Sequence, residues 1–537
     1  MYPLGVVIRL TSPGSRGSTL LWTVAAIAGA TALLLEIALV LPRTFDDAFI
    51  TFRYGLNLSS GFGLLWNPGE APVEGFSSIL GVIVSAASIA AGVYPLITAK
   101  LIGAASALTT LALILYLGNA LRTRERLVAA ALLLLSPDVA YHAISGMENA
   151  WVLPLVTYLV IRHLELESFS AKTFAFVGTI LLLSCLLRPE GHLFAIVFGG
   201  LHAWRLCRGE VSGRSFWILA GPLLIGLTVL HVARFAWFGS LLPNTYYAKH
   251  TGGGLLETVL TGTLYLGERF VPVYGVLWVL AIWAALGRGT ALSRVHLALL
   301  VAFPAYVLSV GGDDPTFGGA RLLLPILPII WIVAAQHATS VFRGWASTGA
   351  GLLAIAVLGA AVNAVWYFDT ARGLYQLTAL STNIPSTIIA ADTAHIRALL
   401  KPEWLPLSTY LAGVVAPNEH IALPWAGRVP FETRLPTIDL LGLNDRHIAS
   451  QPKRQRGTDV KYDAEYVLAR HPRVICDNFQ LRGMQISDFG GMTDAQLHAL
   501  GAIKIGQREL LRSPALASRY VVDPRAPSPG CFIRIGP

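Results

Sequence analysis

Charge is scarce in this sequence. Asp, Glu, Lys and Arg make up 13% of 537 residues, against roughly 25% in soluble domains. Hydrophobic residues reach 54% and the mean hydropathy is +0.60. That balance excludes an ordinary soluble enzyme and marks an integral membrane protein. Cysteine is rarer still, at four residues. No CxxC pair occurs, and no glycine-rich phosphate loop, so nothing points to a thiolate metal site or a P-loop nucleotide site. Internal repeats and low-complexity tracts are also missing. Cys185 and Cys207 lie in or beside apolar runs as small packing residues. Cys476 and Cys531 follow the last apolar run and are free to pair if that region is extracytoplasmic, although spacing alone does not establish proximity.

What the chain has in abundance is long apolar runs. A bilayer core of about 30 Å takes about 20 apolar residues per helix. Candidate spans cover 20–41, 77–94, 97–119, 127–144, 149–161, 173–187, 192–204, 215–238, 272–287, 295–310, 322–340 and 346–366. The first follows Arg9 and Arg16, but it is long and "VLPRTF" is a poor cleavage site, so it reads as a retained anchor. A net charge of +9 invites a nucleic-acid reading. The basic residues instead punctuate the ends of apolar runs, as the positive-inside rule expects. No nucleic-acid partner is implied.

The same rule assigns sides. "LRTRER" at 121–126, "RLCRGEVSGR" at 205–214, "GRGTALSR" at 287–294, "FRGW" at 342–345 and "RHLELESFSAK" at 162–172 read as cytoplasmic. The connections between them then face outward: "SGMEN" at 145–149, "RPEGH" at 188–192, "LLPNTYYAKH" at 241–250 and "GGDDPTFGGAR" at 311–321. A first outer loop at 42–76 joins them, as does everything after 366. This arrangement needs an odd number of crossings, about 11, and the Gly-, Ala- and Ser-rich segment 77–94 is the one expected to dip without crossing. The expected fold is a multi-span α-helical membrane domain over 1–366, followed by a small extracytoplasmic α/β domain over 367–537. In the second region "HIAL", "RVICD", "RYVVD" and "CFIRI" read as strands, with helices at 386–400 and 459–470.

The outer loops carry the chemistry. Asp46 and Asp47 sit just beyond the first span. A carboxylate in a partly dry cleft can take a proton from a hydroxyl, though carboxylates at a membrane edge are often merely solvated. Arg53 and Tyr54 follow them by seven residues each, and Arg53 either pairs with a carboxylate or joins the sugar contacts. Glu148 at the mouth of two spans is either a helix-dipole acid or a ligand for hydroxyls. Arg188 and Glu190 flank a proline, where a guanidinium suits a phosphate at headgroup depth or simply snorkels. Lys249 and His250, beside Tyr246 and Tyr247, fit a sugar or lipid phosphate, whereas an aromatic belt accounts for the tyrosines alone. Asp313, Asp314 and Arg321 fit acceptor or phosphate contacts. Glu36, Lys100 and Arg234 are the clear intramembrane charges, expected to be snorkelled or paired. Acidic loops of this kind can hold Mg²⁺ or Ca²⁺ through oxygen, yet no ligand spacing is diagnostic and the metal assignment is unknown.

In order along the chain, "DDAFITFRYGLNLSSGFGLLWNPGEAPVEGFSS", "SGMEN", "RPEG", "PNTYYAK", "GGD…RLLLP" and "AGRVPFETRLPTIDLLGLNDRHIA" form a set. That set resembles GT-C glycosyltransferases related to the terminal arabinofuranosyltransferase of mycobacterial cell-wall arabinan. The resemblance covers most of the membrane half and the start of the tail. It implies a GT-C fold in the cytoplasmic (inner) membrane of a bacterium, with its site facing the periplasm. It implies a polyprenyl-phosphate sugar as donor, the sugar being arabinofuranose, and a glycan or glycoprotein as acceptor. Asp46 or Asp47 would be the base. Arg188, Lys249, His250 and Arg321 would meet the lipid phosphate. Arg53, Glu74, Glu148, Glu190, Asn244, Tyr246, Asp313 and Asp314 would meet sugar or acceptor. Asp439, Asn444 and Asp445, in the tail motif, would be structural. Transfer of another, mannose-like sugar is the alternative within the class, and a secondary transporter is the alternative outside it. A transporter would place its ionisable residues at the midplane of repeated units, and here the charges gather in loops. Cysteine labelling at positions 145 and 124 is expected to report opposite sides of the membrane; labelling from one side would refute the crossing scheme.

Overall fold

The computed structural model describes residues 16–117, 121–164, 170–250, 254–288, 291–313, 319–341, 405–452, 461–481, 483–527 and 530–536. The expected span at 346–366, the helix at 386–400 and Asp314 lie outside these residues. Among the described residues, five helices are long and apolar enough to cross a bilayer: Trp22–Val40, Pro95–Leu117, Gly213–Phe238, Leu255–Gly287 and Ser293–Val310. A bent pair, Pro137–Ala143 with Glu148–His163, would make a sixth.

This count does not confirm the expected 11: Ala171–Leu187 and Leu324–His337 are apolar but shorter, and one expected run is broken. The 127–144 run divides at Ser136-Pro137, where proline opens a new helix and cannot continue the previous one. "SGMEN" then turns the chain by 115°. Gly146 takes a left-handed φ of 86°, which a side chain would resist, and the Ser145 hydroxyl donates to the His142 carbonyl while accepting from the Met147 amide. The expected dip at 77–94 is helix Ile79–Ala90. Its 12 residues span about 18 Å, well short of a bilayer core. Conversely, Leu255–Gly287 is one long helical run of 33 residues, and the sequence reading found only its second half.

The region after 405 is α/β, as expected. Strands β1 (Ile421–Leu423), β2 (Thr437–Asp439), β3 (Val474–Cys476), β4 (Tyr520–Val522) and β5 (Cys531–Arg534) form one sheet in the order β2-β1-β3-β5-β4. β1 runs parallel to β2 and β3, and β5 runs antiparallel to β3 and β4. All four strands read from sequence are present, and β2 is additional. Helix Ala464–Ala469 falls within the expected 459–470. Cys476 and Cys531 face each other across β3 and β5 and are joined as a disulfide.

The loop at 42–76 is built into this sheet domain. Trp66 Nε1 and Asn67 Nδ2 donate to the Thr437 carbonyl, and the Thr437 amide donates back to Asn67 Oδ1. The loop therefore covers the β2 edge, which would otherwise present open backbone groups. Arg53 is 2% exposed and donates to the carbonyls of Trp66, Pro430 and Leu435 and to Asn67 Oδ1. Its guanidinium also lies 4.4 Å from the Trp66 ring. Asp46 accepts from the amides of Gly427 and Arg428, both at 2.9 Å. A Cβ on Gly427 would stand 1.9 Å from the Asp46 carbonyl oxygen, so only glycine permits this approach. Gly427→Ala is expected to destabilise the docked state by about 1–3 kcal/mol, read as a lower unfolding temperature and faster proteolysis between the two halves of the detergent-solubilised chain.

Candidate functional site

Arg321 is the centre of the arrangement. It lies eight residues beyond Asp313 and is 5% exposed. Its Nε donates to Asp313 Oδ2 in a short contact, and its Nη1 and Nη2 reach Asp47 Oδ2 at 3.3 and 3.4 Å. Met147 Sδ lies 3.4 Å from Nη1, and the Phe45 ring lies beneath the guanidinium at 5.9 Å. The second oxygen of Asp313 pairs with Lys249 at 3.1 Å. Burial works against the Asp313 charge, but Arg321 and Lys249 outweigh it and hold the carboxyl well below its usual range. Burial likewise opposes the Arg321 charge, and Asp313 with Asp47 overcomes that and raises its pKa.

Arg188 forms the neighbouring group. It ends helix Ala171–Leu187 and meets Glu190 through two parallel bonds of 3.0 and 2.9 Å, the bidentate geometry that guanidinium and carboxylate favour. Its Nη1 also donates to Asn149 Oδ1 and lies 3.7 Å from Glu148. Burial again opposes the charge, and Glu190 and Glu148 raise the pKa regardless. Asp47, Glu148, Arg188, Glu190, Lys249, Asp313 and Arg321, drawn from five separate loops, thus form a set of buried and part-buried ion pairs. Within it three cations face four carboxylates. Asp47 differs from the other acids: its side chain is 22% exposed, whereas Asp313, Glu148 and Glu190 are at 4%, 4% and 2%.

Other expected site residues stand elsewhere. Arg53 is locked to carbonyls and an amide, with no carboxylate hydrogen-bonded to it among the described residues. Asn244 donates to the carbonyls of Gly442 and Leu443 at 2.8 and 3.0 Å, tying its loop to the tail motif. Glu74 pairs with Arg234 at 2.7 Å, and burial raises its pKa against that pairing. Tyr246 is exposed and packs edge-on against Tyr247. The His250 side chain and Asp314 are outside the described residues. Asp46 caps the sheet domain. Within the tail motif, Asp439 accepts from the amides of Leu441 and Asn444, and burial lifts its pKa to about 6. Asp445 caps helix Arg446–Ser450.

Two residues escaped the sequence reading. Asp138 accepts from the Tyr274 hydroxyl at 2.8 Å and from the Ala320 amide at 3.2 Å, which fixes the backbone next to Arg321. His142 lies beside it, 3.7 Å from Asp138 and 3.3 Å from Asn149. An Asp and a His four residues apart inside an apolar run was the available signal. Among the described residues, no three His, Cys, Asp or Glu side chains are grouped to hold a metal ion. Between Asp47 and Asp313 the intervening cation is the Arg321 guanidinium.

Residues 395–521 match a family described as "Domain of unknown function (DUF8728)", a stretch that includes β1 to β3 and ends within β4. A comparison with curated protein sequences finds no match. Among solved structures, the chain is similar to ArnT from Cupriavidus metallidurans bound to undecaprenyl phosphate, at 15% identity and a TM-score of 0.49, covering 86% of this chain and 93% of that one. It is also similar to ArnT of the same organism in the apo state, at 12% identity and a TM-score of 0.47, covering 78% of this chain and 86% of that one.

Removing one partner of a buried ion pair strands the other and typically costs about 3–5 kcal/mol. Arg188→Met is therefore expected to lower stability by that order. The double variant Arg188→Met/Glu190→Met is expected to lose less than the sum of the two single variants, measured by thermal unfolding in detergent.

Proposed function

We propose that this protein is a membrane glycosyltransferase that moves a sugar from a polyprenyl-phosphate donor to a hydroxyl acceptor at the outer membrane face, with Asp47 as its base. The observation that carries the reading is the division of labour within the acidic pair. Asp46 is held by two amides of the sheet domain, whereas Asp47 has one side on Arg321 and another accessible. A hydroxyl approaching that accessible side can pass its proton to Asp47 as its oxygen attacks the anomeric carbon. The bond from that carbon to the phosphate oxygen breaks, and its electron pair leaves with polyprenyl phosphate. The leaving group is already an anion, so it needs charge neutralisation rather than a strong acid.

Arg321 couples the two events. A donor phosphate engaging its Nη groups takes the place of Asp47 Oδ2 and releases that carboxylate to receive a proton. Lys249 and Arg188 supply further positive charge beside it, held in place by Asp313, Glu148 and Glu190. One accessible carboxylate among four suits a single displacement with inversion, because double displacement needs a second acid as nucleophile. The sheet-domain disulfide supports an outward orientation, since such bonds persist in oxidising compartments. The arabinofuranose donor and a glycan or glycoprotein acceptor rest on the motif resemblance.

Purified chain in bilayer nanodiscs, given synthetic polyprenyl-phosphoryl arabinofuranose or its mannose counterpart with candidate acceptors, is expected to form a product of added pentose mass. Asp47→Asn should reduce turnover about 10²–10⁴-fold with unchanged thermal stability. Asp46→Asn should lower stability as well as turnover. Wild-type turnover in Asp47→Asn would remove the base assignment.

A further inference from the structure

Helix Gly213–Phe238 ends in a group of residues that the ion-pair cluster does not use. Of its apolar stretch, 17% is buried inside the protein, so most of that surface faces hydrocarbon. Trp237, one residue before the helix ends, is 49% exposed. Tryptophan at the end of a span marks the boundary between hydrocarbon and water, where the ring sits in one and the N–H meets the other. Arg446 of the sheet domain lies at the same level, exposed, with its Nη2 on the Phe238 carbonyl. A long cationic side chain suits that depth as well.

The loop at 42–76 comes down to this level. Trp237 Nε1 donates to the Leu64 carbonyl at 3.2 Å, and a Cβ on Gly63 would stand 3.4 Å from the Trp237 ring. Phe62, next to Gly63, is 54% exposed. A turn holds it out: Gly61 and Gly63, on either side, take φ of 83° and 82°, which side chains resist. The Phe62 amide donates to the Asn57 carbonyl at 2.9 Å. Asn57 Nδ2 braces the turn from inside, donating to the carbonyls of Leu65 and Trp66 at 2.7 and 3.1 Å. A lone exposed phenyl needs no explanation, but one braced beside an interfacial tryptophan is placed for lipid.

We infer that the tip Ser60–Gly63 is a bilayer contact. The Phe62 ring enters the boundary between phospholipid headgroups and acyl chains beside Trp237, and so seats the loop on the membrane. Moving the ring from water into hydrocarbon favours the seated position. The partner is the ordinary phospholipid of the bilayer, so the contact does not depend on the transferase reading. Helix Ala48–Ser59 begins directly after Asp47 and ends three residues before Phe62. The carboxylate at 47 and the lipid contact thus lie at opposite ends of one helix, about 18 Å long. The loop has two supports, the bilayer at Phe62 and the sheet domain at Trp66 and Asn67.

Spin labels on single introduced cysteines of the full chain in phosphatidylcholine nanodiscs test the contact. Cys207→Ser removes the exposed free thiol, and Cys185 is buried. Phe62→Cys is compared with Val229→Cys, exposed on the span, and Ser487→Cys, exposed in the sheet domain. Collisions with dissolved oxygen report hydrocarbon, and collisions with a water-soluble nickel chelate report solvent. The label at 62 is expected to favour oxygen, as at 229, whereas the label at 487 favours the chelate. An unchanged unfolding temperature confirms that Phe62→Cys leaves the fold intact. Chelate access at 62 equal to that at 487 overturns the proposal. So does a label shielded from both reagents, or broadened by a second label nearby, since either indicates a protein partner in place of lipid. Chelate access at 229 would remove the span beside which the tip lies, and the contact with it.

Discussion

Asp46 and Asp47 are joined by one peptide bond, and each is held by a different part of the protein. Asp46 accepts two amides from the start of helix Arg428–Thr433 in the sheet domain, and Asp47 meets Arg321 on the membrane side. Because the peptide unit is stiff, fixing one carboxylate limits where the other can be. The position of the proposed base is therefore set by a domain whose sequence begins hundreds of residues later. Gly427 makes this contact sterically feasible, and Arg53, Trp66 and Asn67 hold the rest of the loop in register with it.

Such a site is expensive in electrostatic terms. Ions lose hydration when buried, and their mutual attraction repays this only with good geometry and further hydrogen bonds. Bidentate pairing of Arg188 with Glu190, and the sharing of Asp313 between Arg321 and Lys249, meet that requirement. These pairs are better understood as holding a charge pattern in place than as stabilising the fold. A cluster already balanced in the resting state can exchange partners when an anion arrives, because the new ligand substitutes for a carboxylate instead of adding to it.

Much of this was legible in the chain. The acidic pair, the loop motifs and four of the five strands stand out because chemistry and alternation are local properties. Several of the polar loops between apolar runs do converge on Arg321. What local reading could not resolve was partnership. Nothing in "DDAF" distinguishes the two aspartates, since the difference arises from Gly427. Arg53 and Asn244 look like ligand contacts in their motifs, yet in the fold they bind backbone carbonyls of distant segments. Strand β2, three residues long and directly after Pro436, is too short to show a period. The half-span at 255–271 was missed because Glu257, Gly262, Gly267, Glu268 and Arg269 interrupt its apolar character.

The way the first loop closes the β2 edge also bears on how the molecule is assembled. Trp66 and Thr437 are 371 positions apart, so ribosomal synthesis delivers one partner long before the other. Closing so long a loop adds only slowly to the entropic cost, because that cost grows with the logarithm of length. Until the sheet forms, however, the guanidinium of Arg53 and the indole of Trp66 lack their distant acceptors. The carboxylate at 46 likewise waits for its amides. Completion of the tail is thus the last step in shaping an ion-pair cluster whose first acidic residue was made near the start of the chain, and a truncated product would insert in the membrane with that cluster unformed.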